Sequence, residues 1–233
     1  SCVFGGMVTT NRPDVAQRVE QFRAQQTALP PARWVGKQLL HPFLTQTARK
    51  TLGLGGFGQA WLKLAKAAGL ITLAVEADEH SALPPSFRGY RMANALAELA
   101  LRQWAKIDRY TEHRRKLAAF YYDRLPDAGY QTPEPVSGSS AAPIRYPIAC
   151  EKPEMLLAQA ERRGLYLGAW YRPVISPPGV RYQRVAYQPG SCPHAEAAAA
   201  TVVNLPTHVN IQRSDSERVV EILRQCGMGP VTA

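Results

Sequence analysis

Apolar positions along this chain change their spacing several times, and each change marks an element. Residues 4–10 are apolar and β-rich between Gly5-Gly6 and Asn11, which predicts a short buried strand. Asn11 to Asp14 then supplies a helix start: a capping residue, Pro13 in the first turn, and Asp14 at the positive end of the helix dipole. Val15, Val19 and Phe22 follow at helical spacing, so this helix is expected to run to about Gln26. Leu29-Pro30-Pro31 breaks it. Two apolar, basic stretches come next, 34–52 and 57–73. Leu39, Leu40, Phe43 and Leu44 sit together on one face of the first. Trp61, Leu62, Ala65 and Ala68 do so on the second, with Lys63 and Lys66 off that face. Gly53, Gly55, Gly56 and Gly58 separate the two, and residues 78–85 read as a polar loop.

From 91 to 125 the pattern predicts one long helix or two in close succession. Met92, Leu96, Leu99, Gln103, Ile107 and Tyr110 trace one stripe, extended by Leu117, Phe120, Tyr121 and Leu125. Pro126 and Gly129 end it, and residues 132–143, rich in Pro, Ser and Gly, form a linker. Ile144, Tyr146 and Ile148 alternate as in a strand. Pro153 opens a helix that Gly164 stops. Residues 165–171 read as a second strand, and 172–193 as a Pro-rich loop. An alanine-rich helix over 194–203 is broken at Leu205-Pro206. A final amphipathic helix runs from Ser214 to Cys226, with Asp215 and Glu217 in its first turn. No repeat at a fixed period is present.

Composition narrows the class. At 233 residues the chain is long for one domain and short for two full ones. It is 45% hydrophobic and 20% charged, values of a globular protein. No apolar run is long enough for a spanning helix, and the first residues lack the basic region of a signal peptide. The four cysteines, Cys2, Cys150, Cys192 and Cys226, show no metal-ligand or CxxC spacing, so free thiols in a reducing cytoplasm are expected. The net charge of +10 favours anionic partners: a nucleotide diphosphate, a membrane surface or a nucleic acid. No nucleic-acid-binding signature accompanies the dispersed basic residues, so nucleic acid is set aside.

Several segments carry a resemblance. Residues 5–23 read GGMVTTNRPDVAQRVEQFR: a Gly-Gly pair, a strand, an Asn at the turn, then a helix. Gly89-Tyr90-Arg91-Met92 opens a helix. Arg145-Tyr146-Pro147-Ile148 forms a strand. Tyr187-Gln188-Pro189-Gly190 is followed by Pro193, Ala195-Glu196 and Leu205-Pro206-Thr207-His208. In this order the set resembles the DegT/DnrJ/StrS-type sugar aminotransferases that depend on pyridoxal phosphate (PLP). The resemblance implies an α/β fold, the carboxy-terminal part of a fold-type-I PLP transferase. It would comprise a large-domain remnant over 1–90 with a helical insertion over about 27–88, a long connecting helix over 91–130, and a small α+β domain over 131–233. It further implies a homodimer, a nucleotide-linked keto-sugar substrate, an amino-acid donor, and a cytoplasmic role in amino-sugar or polysaccharide synthesis.

In that family a lysine shortly before the Gly-Gly pair forms a Schiff base with PLP. Here Ser1, Cys2, Val3 and Phe4 precede Gly5. The seven lysines are Lys37, Lys50, Lys63, Lys66, Lys106, Lys116 and Lys152, and none stands at the matching place. The expectation is a carboxy-terminal portion that holds no covalent cofactor, supplies no catalytic residue and is inactive alone. The alternative is a non-catalytic structural or regulatory dimerisation module. Gly89 aligns with a phosphate-contacting Asn, and since glycine has no side-chain donor that contact is either lost or passes to backbone N–H. Arg91 matches an arginine that can reach an anionic group, and a planar guanidinium suits phosphate or carboxylate; a solvated helix-start arginine is the other reading. Trp170 and Tyr171 align with a pair before the substrate loop and either line the sugar site or bury as strand-end aromatics. Ser176 stands where a histidine is frequent, and His208 is read as a structural hydrogen-bonder. Residues 34–73, rich in Trp, Leu and Lys, suit either an interfacial membrane helix pair or a packed helical insertion.

Overall fold

The structure is a computed structural model that describes residues 4–51, 57–71, 75–84, 89–134 and 136–227. Gly53, Gly55 and Gly56, read above as the separator between two helices, lie outside the described residues. The chain divides into two compact units, Ser1–Glu79 with Leu83–Lys106, and His80–Ala82 with Ile107–Ala233.

The first unit is helical. Its elements are α1 (Pro13–Gln26), α2 (Ala32–Lys50), α3 (Phe57–Ala67), the start of the short α4 (Ala77–His80), and α5 (Asn94–Trp104). Pro13 opens α1 because its missing N–H would have no partner there anyway. Yet α1 has no buried residue, and Val19 and Phe22 of its apolar stripe are exposed. The expected strand over 4–10 is not formed: residues 5–10 are exposed and irregular. Apolar, β-rich composition produces a strand only when another strand satisfies its backbone groups.

Helices α2 and α3 pack on each other through Leu44, Ala65 and Ile71, with Trp61 and Leu62 beside them. The four residues read as one apolar face on α2 divide: Leu44 is buried, Leu39 half-buried, and Leu40 and Phe43 exposed. Trp34 of α2 sits edge-on to Phe4 at 6.0 Å and to Tyr90 at 5.7 Å. A parallel bridge joins Ala28 to Tyr90, with Ala28 N–H donating to the Gly89 carbonyl (2.8 Å) and Arg91 N–H to the Ala28 carbonyl (2.9 Å).

The second unit contains α6 (Ile107–Arg124), β1 (Arg145–Ala149), α7 (Pro153–Arg162), α8 (Pro193–Thr201), β2 (Val202–Pro206) and α9 (Arg213–Cys226). The stretch read as one long helix or two is therefore two, α5 and α6, parted by a turn at Ala105-Lys106. Strands β1 and β2 pair antiparallel, with Tyr146 opposite Leu205 and Ile148 opposite Val203. Tyr146 and Ile148 point inward while Arg145 and Pro147 face out, which is the period-2 pattern.

Strand β2 lies in the stretch read as a helix end and a breaker. The segment read as a second strand, 165–171, contributes only one bridge, Gly168 to Asn204. Asn204 exchanges both backbone hydrogen bonds with Gly168 at 2.8 Å, so its peptide groups face away from Pro147. That is why a proline, which has no N–H to donate, is tolerated opposite it on an edge strand.

Among the described residues, a continuous core of seventeen buried ones lies between the strands and α6, α7 and α9. Tyr121 is fully buried at its centre; its hydroxyl bonds the Pro206 carbonyl (3.1 Å) and Ser216 Oγ (3.3 Å). Burial pushes this phenol up to about 12. Helix α9 begins with a reciprocal cap between Gln212 and Asp215 and ends at Gly227 in the left-handed region (φ 57°).

Candidate functional site

The β2 sequence VVNLP places one polar side chain, Asn204, among apolar neighbours, and it is buried. A buried carboxamide needs partners. Its backbone holds Gly168, and its Oδ1 accepts a hydrogen bond from the Trp170 backbone N–H at 2.9 Å. Asn204 thereby fixes where the chain leaves the sheet at 168–171. The backbone at Gly168 approaches its neighbours closely: a Cβ there would lie 2.8 Å from Arg145 Nη1 and 3.2 Å from Asn204 Cβ, so both would have to shift. Just beyond it the Trp170 and Tyr171 rings meet edge-to-face at 5.6 Å, and the Arg145 guanidinium lies 5.0 Å over the indole.

Trp170 and Tyr171 are 53% and 66% exposed. They form an aromatic ledge with a cation behind it and are not strand-end core residues. Arg172, the next residue, is turned inward. It pairs with Glu154 of α7 and keeps Nε and one terminal nitrogen buried without a hydrogen-bond partner.

The terminal motif closes on itself in the same unit. Glu196 of α8 accepts hydrogen bonds from the Tyr187 hydroxyl (2.5 Å), Gly190 N–H (2.8 Å) and Cys192 N–H (3.3 Å). The Tyr187 bond, aided by the two amides, holds the Glu196 carboxyl below the usual carboxylate range. Tyr187 is correspondingly pushed up to about 12 by this same carboxylate. Thr207 Oγ1 lies within hydrogen-bond distance of the Pro143 and Ile144 carbonyls, while His208 Nδ1 accepts from Asn210 N–H. The His208 carbonyl also lies 3.2 Å from His113 Nε2. These contacts make Tyr187, Gly190, Glu196, Thr207 and His208 parts of a scaffold.

Residues 75–224, well over half of the chain, match the model of the DegT/DnrJ/EryC1/StrS aminotransferase family. The chain belongs to that family. A pleiotropic regulatory protein of Geobacillus stearothermophilus is 30% identical over 118 residues, which is 49% of this chain and 32% of that protein. Among solved structures, S. venezuelae DesV in complex with a ketimine intermediate is 26% identical, with a TM-score of 0.51 over 59% of this chain and 37% of DesV. Sugar aminotransferase CalS13 of Micromonospora echinospora, 21% identical, gives 0.51 over 59% of this chain and 37% of that one. A DegT DnrJ EryC1 StrS aminotransferase of Brucella abortus, 22% identical, gives 0.50 over 64% and 41%. The chain thus spans between 32% and 41% of the length of these proteins. Its mixed helix and strand fold is that of their carboxy-terminal part.

Pyridoxal phosphate is the cofactor of this aminotransferase family. Gly89 and Arg91 of the first unit stand together at the Ala28 bridge, with Gly89 in the left-handed region (φ 89°). The half-buried Arg91 donates to the Thr27 carbonyl (3.2 Å), and its Nε is buried without a partner. An orphaned guanidinium donor suits an anionic group. The lysines do not fit covalent attachment. A Schiff-base lysine is activated by desolvation, whereas six of the seven here are exposed and Lys37 is half-buried. No step through the cofactor is assigned to these residues.

The structure brings Trp170 together with Tyr171 and Gly89 together with Arg91; the two pairs belong to different units. Sequence reading missed Asn204, Arg172 and the role of Arg145. The asparagine inside an otherwise apolar VVNLP was the available signal.

Proposed function

We propose that this chain is the carboxy-terminal portion of a PLP-dependent aminotransferase acting on a nucleotide-linked keto-sugar, with an amino acid as donor. The setting is cytoplasmic amino-sugar or polysaccharide synthesis by a homodimer, and the chain is inactive by itself. The observation that carries this reading is the family match over residues 75–224. Residues 1–90 then correspond to a large-domain remnant, 91–130 to the connecting helical segment and 131–233 to the small domain. Arg91 contacts an anionic group of the ligand. Trp170 and Tyr171 form one wall of the sugar site, and their exposure supports this, because large aromatics left in solvent beside a cation suit a planar or sugar face.

UDP-N-acetylglucosamine, titrated into the full chain and followed by tryptophan fluorescence, is the test. Saturable quenching is expected, with affinity about tenfold weaker in Trp170→Ala. Quenching unchanged in that variant removes the substrate-wall assignment. Borohydride reduction with added PLP is expected to leave no stoichiometric lysine adduct; such an adduct contradicts inactivity alone.

A second reading has one observation behind it. The Geobacillus relative is described as a pleiotropic regulatory protein. Under that reading the chain is a non-catalytic dimerisation or regulatory module. It gains if the chain dimerises yet shows no response to nucleotide sugars.

A further inference from the structure

The pair α2–α3 lies outside the family match. Residues 21–75 contain no Asp or Glu. They carry Arg23, Arg33, Lys37, Arg49, Lys50, Lys63 and Lys66. Fifty-five residues (21 through 75) without one acid, in a chain holding eighteen, are a concentrated positive field.

Among the described residues, both helices also leave apolar side chains uncovered. On α2 the residues Arg33, Gly36, Leu40, Phe43, Thr47 and Lys50 follow one another at spacings of three and four, and all are exposed. Phe43 is 73% exposed at the middle, with the cations at the two ends. On α3 the exposed series is Phe57, Ala60 and Leu64, with Phe57 56% and Leu64 64% exposed; Lys63 and Lys66 are exposed on the flanks of the same helix. The adjoining sides, through Leu44 and Ala65, are occupied by the packing of the two helices. Turning the stripes inward would uncover that contact.

We propose that the α2–α3 pair docks on an anionic membrane surface. Phe43, Phe57, Leu40 and Leu64 enter the boundary between headgroups and acyl chains, and the lysine and arginine stems reach the lipid phosphates. Charge complementarity decides the occupant: a second copy of this pair would bring like charges together, whereas anionic headgroups neutralise them. Among the described residues no helix is long and apolar enough to cross a membrane, so the pair lies in the interface plane.

The test is flotation of the full chain with phosphatidylcholine vesicles made with or without phosphatidylserine, at low salt. Flotation with the anionic vesicles is expected, weakening as salt rises. Lys63→Gln with Lys66→Gln should lower partitioning about thirty-fold, and Phe43→Ser with Leu64→Ser should also abolish flotation while circular dichroism stays unchanged. Three results overturn the proposal. One is equal flotation with neutral and anionic vesicles. The second is no flotation at low salt. The third is self-association without lipid that the Phe43→Ser, Leu64→Ser variant abolishes, which would mean that copies of the chain cover this face.

Discussion

The two units bury their apolar residues in opposite ways. From Ile107 onward, seventeen of the described residues, drawn mainly from helices and both strands, form one core. Among the described residues of the first unit, the buried cluster between α2 and α3 has three members, and α1 buries none. The sequences differ little in apolar content; they differ in pairing. In the second unit each apolar stripe meets another from a distant segment, as Leu117, Phe120 and Tyr121 of α6 meet Val219, Val220 and Leu223 of α9. The lesson is that an amphipathic pattern specifies a face and leaves open what covers it.

The sharpest way to break this comparison is a pair of truncations. Leu223→Ala in the second core should cost about 2–5 kcal/mol, whereas Phe22→Ala on exposed α1 should stay within about 0.5 kcal/mol. Urea denaturation midpoints read both. Equal losses would mean that α1 is packed in solution.

Gly168→Ala should cost about 1–3 kcal/mol, because the added methyl meets Asn204 Cβ and the Arg145 guanidinium. Its distinguishing readout is Trp170 emission, which shifts when Arg145 is displaced from the indole. A stable variant with unchanged emission would sink the close-approach argument.

The smallest effect concerns pH. The Glu196 carboxyl is lowered in the folded chain, chiefly by the Tyr187 hydroxyl. Its contribution is therefore complete above the ordinary carboxylate value near 4.3 and is lost as pH falls through the lowered folded value. Tyr187 is raised to about 12, so its contribution is complete below about 10 and lost as pH rises toward about 12. Glu196→Gln should flatten the acid limb of a Tyr187 NMR titration. An unchanged limb would show that the contact is not made.

What could be read from sequence was local. Pro13, Pro153 and Gly164 marked helix ends, and the alternation of Tyr146 with Ile148 marked β1. Strand β2 was illegible because VVNLP follows an alanine helix without a break and is defined by partners in β1 and at Gly168. The site followed the same rule. Trp170, Tyr171 and Arg91 were picked by resemblance, but Asn204 acts through a backbone N–H far away in sequence, which spacing does not encode. On α2, Leu40 and Leu44 looked equivalent, and only the position of α3 made one inside and the other outside.

Hydrogen–deuterium exchange of the full chain tests the division between the units most directly. The amides of Ile148, Val203, Leu205 and α9 should exchange only at the rate of global unfolding, and those of α1 should exchange orders of magnitude sooner. Equal protection of α1 and α9, or slower exchange in α1, would contradict the account.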